Sequence, residues 1–234
     1  MHGLEAQLDG LLQQISIYAL PAIFAITFHE AAHGFVAHKL GDDTAFRMGR
    51  VTFNPLRHID LYGTILMPIF LLLISGGRFV FGFAKPVPVN FGQLRHPRRD
   101  MVWVALAGPG INIVLAFVSA LLFYLVPFAP AVGREWLGDN LAVSVVVNII
   151  LAVFNLIPLP PLDGGRVAVG LLPDFLAFPL ARMERYGLLV LIALLILLPM
   201  LGERLGVNLD VVRYVINFAA GYVLHGISWL TGIQ

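Results

Sequence analysis

His29, Glu30 and His33 stand in the order H-E-x-x-H. Residues four apart share a helix face, so both imidazoles can reach one metal ion. Glu30 sits beside the first of them, where a carboxylate can take a proton from a water held on the metal without itself being a ligand. Zinc suits the arrangement, because it lowers the pKa of its water to about 7 and makes hydroxide available at neutral pH. Random placement of the chain's seven His and five Glu would give this spacing only about 0.4% of the time. The setting weighs further against coincidence: the stretch is otherwise apolar, and ionisable groups in membrane spans are rare and usually functional.

Two histidines leave a catalytic zinc one ligand short, since three protein ligands plus a water is the usual set. The chain has no cysteine, so the third ligand must be a histidine or a carboxylate. Asp163, in "FNLIPLPPLDGGR" at 154–166, follows an apolar run behind Pro158, Pro160 and Pro161 and precedes two glycines. Prolines interrupt a helix and bend the chain, so a side chain there can be aimed inward. An Asp at such a place also starts helices and turns, and the residues alone leave both uses open.

These groups need elements to carry them. With 59% hydrophobic and 12% charged residues in 234, the chain has too little polar surface to enclose itself in water and belongs in a bilayer. A net charge of +1 and the lack of a basic stripe with interleaved aromatics exclude a nucleic-acid footprint. Apolar windows run at 11–38, 62–83, 101–127, 140–158, 186–201 and 211–232. Most approach the roughly 20 residues that cross about 30 Å of hydrocarbon as a helix. The first follows a leader without Lys or Arg, so it lacks the basic region of a cleaved signal peptide and reads as a retained helix.

Basic residues give the orientation. Segments 39–61 and 84–100 carry four Lys or Arg each and 159–185 carries three, whereas the leader has none and 128–139 and 202–210 have one each. All the rich segments fall on the cytoplasmic side, and the poor ones outside, if residues 62–100 enter the membrane and return to the side they left. The fold expected is therefore an all-α polytopic helical bundle with about five spans, N-terminus out, plus a membrane-embedded re-entrant segment. The same arrangement brings His29, His33 and Asp163 to one level near the cytoplasmic face. A short β-hairpin or strand is expected within 42–63, just after the first helix, from its β-compatible residues ahead of Pro55 and Gly63. Pro86 and Pro88 make 82–90 extended rather than helical.

Beyond the histidines and Asp163, the sequence resembles the site-2 protease family of intramembrane zinc metalloproteases. The resemblance rests on "HEAAH", on "AGPGIN" at 107–112, on "NLIPLPPLDGG" at 155–165 and on "KPVPVN", and it covers most of residues 20–170. It points to a compact prokaryotic form without a PDZ or CBS domain. It implies one zinc per chain held by His29, His33 and Asp163, with Glu30 as general base and acid. It also implies cleavage in or near the transmembrane segment of a membrane-anchored protein, such as an anti-sigma factor or similar signalling protein, in a prokaryotic cytoplasmic membrane. Residues 1–234 then form a single integral-membrane protease domain, with a catalytic core at about 11–172 and C-terminal helices at about 173–234.

Asn155 and Asn112 match the asparagines of the two longer motifs. An amide can donate to a carbonyl oxygen as negative charge grows on it, or hold an extended peptide. Its ordinary use is a helix–helix hydrogen bond, worth about 0.6 kcal/mol in a membrane. An unwound substrate could pair with an exposed strand edge. Arg50, Val51 and Thr52 are the expected edge, with Pro86 and Pro88 lining or covering the cleft. Two other readings use the same residues: a metal-ion transporter with His and Asp as relay ligands, and a non-catalytic adaptor of the same fold. The first needs polar residues at successive depths and the second a lost ligand or glutamate.

Overall fold

The computed structural model describes residues 2–74 and 84–233. The bundle is built on α1 (His2–Lys39), α4 (Pro97–Leu122) and α5 (Ala131–Asn155). Between α1 and α4 lie α2 (Thr44–Arg47) and α3 (Met67–Ile74). After α5 come α6 (Asp163–Leu171), α7 (Asp174–Met183), α8 (Gly187–Ile192), α9 (Leu198–Leu205) and α10 (Val211–Thr231). Four helical stretches among the described residues are long and apolar enough to cross a membrane: Leu12–Lys39, Pro97–Phe128, Ala131–Asn155 and Asp174–Leu205. The protein is a helical membrane protein.

Small residues let the three main helices approach closely. On α1 the buried positions include 21, 25, 29, 33 and 37, one turn apart, so both histidines lie in the stripe that faces the bundle. Ala25 and Ala37 flank them with no exposed surface. On α4 the facing row is Ala105, Gly108, Asn112, Ala116 and Ala120; on α5 it is Val145, Asn148, Ile149 and Ala152. The end of α1 packs Ala37 against Val104 near the start of α4, whereas Asn112, further along α4, bonds Ala25, so α1 and α4 are antiparallel.

That pairing fixes the path between them. Arg95 N–H donates to the carbonyl of Leu40 at 3.0 Å, so the chain that leaves α1 comes back to the same end of the bundle before α4 begins. The chain between α1 and α4 therefore leaves and returns at one end of the bundle, and residues 75–83 of the expected re-entrant segment lie outside the described residues.

One expectation is corrected. No strand occurs among the described residues, and 42–63 is a series of short helical turns rather than a hairpin. Its own side chains take up the donors a strand would offer a neighbour: Asp42 caps Thr44 N–H, Asn54 caps Leu56 N–H, and Asp60 caps Tyr62 and Gly63 N–H. Gly49, at φ +63°, turns the chain between them. The last apolar window forms helix α10, which carries Arg213, Asn217 and His225 and is not among the four apolar stretches. The Tyr124 hydroxyl donates to the Thr231 carbonyl at 2.7 Å, so α10 ends beside the end of α4. Ile227 of α10 joins Ala116, Ala120, Val145 and Ile149 in one core cluster, and this apolar packing sets its direction.

The chain lacks cysteine, so single cysteines report cleanly on sidedness. Arg47→Cys and Arg95→Cys should both react with a membrane-impermeant maleimide from the same face of the membrane. Reaction from opposite faces would contradict the returning path.

Candidate metal centre

His29 and His33 stand on the buried face of α1, and Asp163 is the first residue of α6. The loop after α5 delivers the carboxylate. Pro158, Pro160 and Pro161 prevent α5 from continuing, and α6 restarts against the loop so closely that a Cβ on Gly164 would run into the carbonyls of Leu156 and Ile157. A glycine directly after Asp163 is what lets the new helix begin there.

The three side chains meet. His29 Nε2 lies 3.0 Å from His33 Nε2 and 3.1 Å from Asp163 Oδ2, and His33 Nε2 lies 3.3 Å from the same oxygen. A tetrahedral zinc with bonds of about 2.0–2.1 Å places neighbouring donors about 3.3–3.4 Å apart. The observed triangle is within a few tenths of an ångström of one face of that tetrahedron, and two imidazoles with one carboxylate are a donor set zinc takes. Space for an ion is built in as well. A Cβ on Gly108 would lie 2.5 Å from His29 Nε2 and closer still to His33 Nε2, so α4 faces the donors with bare backbone. The triad can hold one metal ion.

Behind the donors each imidazole is anchored through its other nitrogen, as metal-binding histidines usually are. His33 Nδ1–H donates to the Val104 carbonyl at 2.7 Å, and His29 Nδ1 meets Asn112 Oδ1 at 2.6 Å. This places Asn112 elsewhere than expected. Its Nδ2 donates to the carbonyl of Ala25 at 3.2 Å and to Asn148 Oδ1 at 2.8 Å, and the residue has no exposed surface. No amide proton remains for a substrate carbonyl. Asn155 closes α5, is partly buried and donates Nδ2 to Leu151 one turn back. None of its hydrogen bonds reaches the triad.

Glu30 stands next to His29 on α1 and is half-buried. Its Oε2 accepts Val87 N–H at 2.7 Å, so the extended segment 84–90 lies over the carboxylate as a strap. The strap is tied at further points. Lys85 N–H donates to the His58 carbonyl at 2.8 Å, Asn90 N–H to Asp42 Oδ2 at 2.6 Å, and Arg50 Nη2 donates to the carbonyls of Lys85 at 2.7 Å and Pro86 at 3.4 Å. Of the residues expected to bind substrate, Arg50 and Pro86 therefore share one contact next to Glu30. Val51 faces Val87 across Gly34, each within 3.0 Å of a Cβ built there. The Thr52 carbonyl accepts His58 Nε2–H at 2.9 Å, and Pro88 is half-buried along the strap. None of these belongs to a strand edge. Sequence reasoning missed Gly108, Val87 and Asn148. The only signal for Asn148 was an amide two helical turns before Asn155 in an apolar run.

The profile described as Peptidase family M50 matches residues 132–198, a stretch that includes Asp163 but neither histidine. The chain is 39% identical over 181 residues to "Putative zinc metalloprotease YwhC" of Bacillus subtilis, covering 74% of this chain and 77% of that protein. It is 31% identical over 153 residues to "Putative zinc metalloprotease MJ0611" of Methanocaldococcus jannaschii, covering 65% of this chain and 68% of that protein. With "Putative zinc metalloprotease Rip2" of Mycolicibacterium smegmatis it shares 30% identity over 175 residues, 74% of this chain and 64% of the other. No solved structure matches it.

If the bare backbone at 108 is what leaves room for the ion, Gly108→Ala should empty the site. Metal analysis of purified protein should fall from about one zinc per chain to near none. Undiminished zinc in the variant would show that the ion sits elsewhere.

Proposed function

The chain belongs to peptidase family M50, and on that premise we propose that it is an intramembrane zinc endopeptidase, cutting a membrane-anchored protein in or near its transmembrane segment. The observation that carries the reading is the triangle of His29, His33 and Asp163, buried among the span helices with Glu30 one residue away. Zinc bound there supplies Lewis acidity, polarising the scissile carbonyl and bringing the pKa of water down to about 7.

The protein groups do the rest. His29, His33 and Asp163 hold the ion, and their burial keeps bulk water from competing with the reacting one. Glu30 Oε2 takes a proton from the attacking water as its oxygen bonds to the carbonyl carbon. The same carboxyl then gives that proton to the nitrogen as the C–N bond breaks, leaving a new carboxylic acid, which keeps the water's second proton, and a new amine. For this to occur Val87 N–H must release Glu30, so the strap shifts when a substrate enters.

The substrate itself must arrive unwound, because a helical peptide bond has its carbonyl engaged and crowded. Arg50 and the 84–90 strap already hold extended backbone beside Glu30 and are the groups placed to receive it. Signalling proteins tethered by one helix are the substrate class, and the site opens toward the cytoplasmic face, where the basic segments gather. The transporter reading is weaker. The ionisable donors share one level, and the polar residues deeper in the bundle, Asn148, Ser144 and Ser119, are bonded to one another and carry no charge.

Two measurements test the proposal. Glu30→Gln should keep its zinc yet lose cleavage of a model membrane-spanning substrate by about 10²- to 10⁴-fold; cleavage at the wild-type rate would refute the role of Glu30. Single cysteines at 84–90 should change their labelling rate when substrate is added to the Glu30→Gln protein, and identical rates would count against movement of the strap.

A further inference from the structure

Asn148 has no part in the chemistry above, yet it is 1% exposed in the middle of an apolar span, where a polar side chain is expensive. Its hydrogen bonds have only one consistent direction. Asn148 Nδ2 donates to the Ser144 carbonyl at 2.9 Å, and a carbonyl can only accept. The atom turned toward α4 is therefore Asn148 Oδ1, which accepts from Asn112 Nδ2 at 2.8 Å. The second proton of Asn112 Nδ2 goes to another carbonyl, that of Ala25, at 3.2 Å. Asn112 must then present its oxygen to His29 Nδ1 at 2.6 Å, and that nitrogen must carry a proton. Nε2 of His29 is left with its lone pair, aimed at His33 and Asp163.

We infer that Asn148 is a positioning residue for the metal: acting through Asn112, it sets which nitrogen of His29 is free to bind the ion. The inference rests on the reading of His29, His33 and Asp163 as zinc ligands. His33 needs no such relay, because the Val104 carbonyl sets its tautomer directly. For His29 the signal crosses three helices, from the backbone of α5 to the amide of α4 to the imidazole of α1.

The reason Asn148 matters is that an amide is nearly symmetric in shape. Without an acceptor at 148 only the long bond to Ala25 keeps the Asn112 group from turning over. Turned, it would present a donor to His29 Nδ1, drive the ring proton to Nε2 and block the metal. In a low-dielectric interior these bonds are strong when complete and costly when broken, so the loss should be felt at the ion.

Cobalt(II), which reports its coordination in the visible spectrum, is the probe, with the full chain in detergent. Asn148→Leu should weaken Co2+ binding about 10- to 100-fold, the usual effect of removing an outer partner of a ligand, and should alter the spectrum. Asn148→Asp should restore both: in this apolar setting it enters as the neutral acid, donating its hydroxyl to the Ser144 carbonyl and accepting from Asn112 Nδ2 on its carbonyl oxygen. Ser144→Ala, at the same depth, keeps the backbone carbonyl and should bind Co2+ like the wild type. Wild-type affinity and spectrum in Asn148→Leu overturn the inference, as does an equal loss in Ser144→Ala, which would mean simple loosening of the bundle. If Asn148→Leu does not fold, nitrogen-15 NMR of the zinc-loaded wild type decides, a proton on His29 Nδ1 supporting the relay and a metal on Nδ1 overturning it. A wild type that takes up no Co2+ would instead remove the metal reading itself.

Discussion

Two imidazole nitrogens and a carboxylate oxygen approach within 3.3 Å of one another inside a bundle of otherwise apolar helices. Polar groups at that depth cost several kcal/mol each when unsatisfied, by the usual figure of about 2–7 kcal/mol. The remaining structure is organised around making the approach tolerable. Each imidazole is bonded on its far side, α4 is stripped to backbone at Gly108 where it passes the donors, and α5 is broken by prolines so that Asp163 can come in from its end.

Because the donors come from α1 and α6, helix direction is a requirement of the site. His33 bonds Val104 near the start of α4, and Asn112 reaches back to Ala25 in α1, which demands antiparallel helices and a chain that returns between them. The return places the 84–90 strap against Glu30. One packing arrangement thereby assembles the donors and sets an extended backbone against Glu30. Apart from Lys85 N–H on the His58 carbonyl, the strap is held by side chains, those of Glu30, Arg50 and Asp42, rather than by a sheet.

The misreadings share a cause. Residues 42–63 contain β-compatible side chains, but Asp42, Asn54 and Asp60 bond the backbone two or three residues on and turn it into short helical loops. Asn112 lies in a motif whose pattern draws attention to reaction chemistry, yet its three hydrogen bonds all point into the protein.

The sequence by itself determined the element that carries each donor and the chemistry those donors could support. H-E-x-x-H lies on an apolar helix, Asp163 lies behind prolines, and the basic-rich segments fall on one side if residues 62–100 return to the side they left. These are local or additive properties: side-chain spacing, backbone permission and summed charge. The tertiary structure alone decided the distances in the triangle, the role of Gly108 as the empty wall of the site, the strap on Glu30, and the relay from Asn148 through Asn112 to His29. Each depends on the rotation of one helix against another, and that rotation is set by packing among residues far apart in the chain.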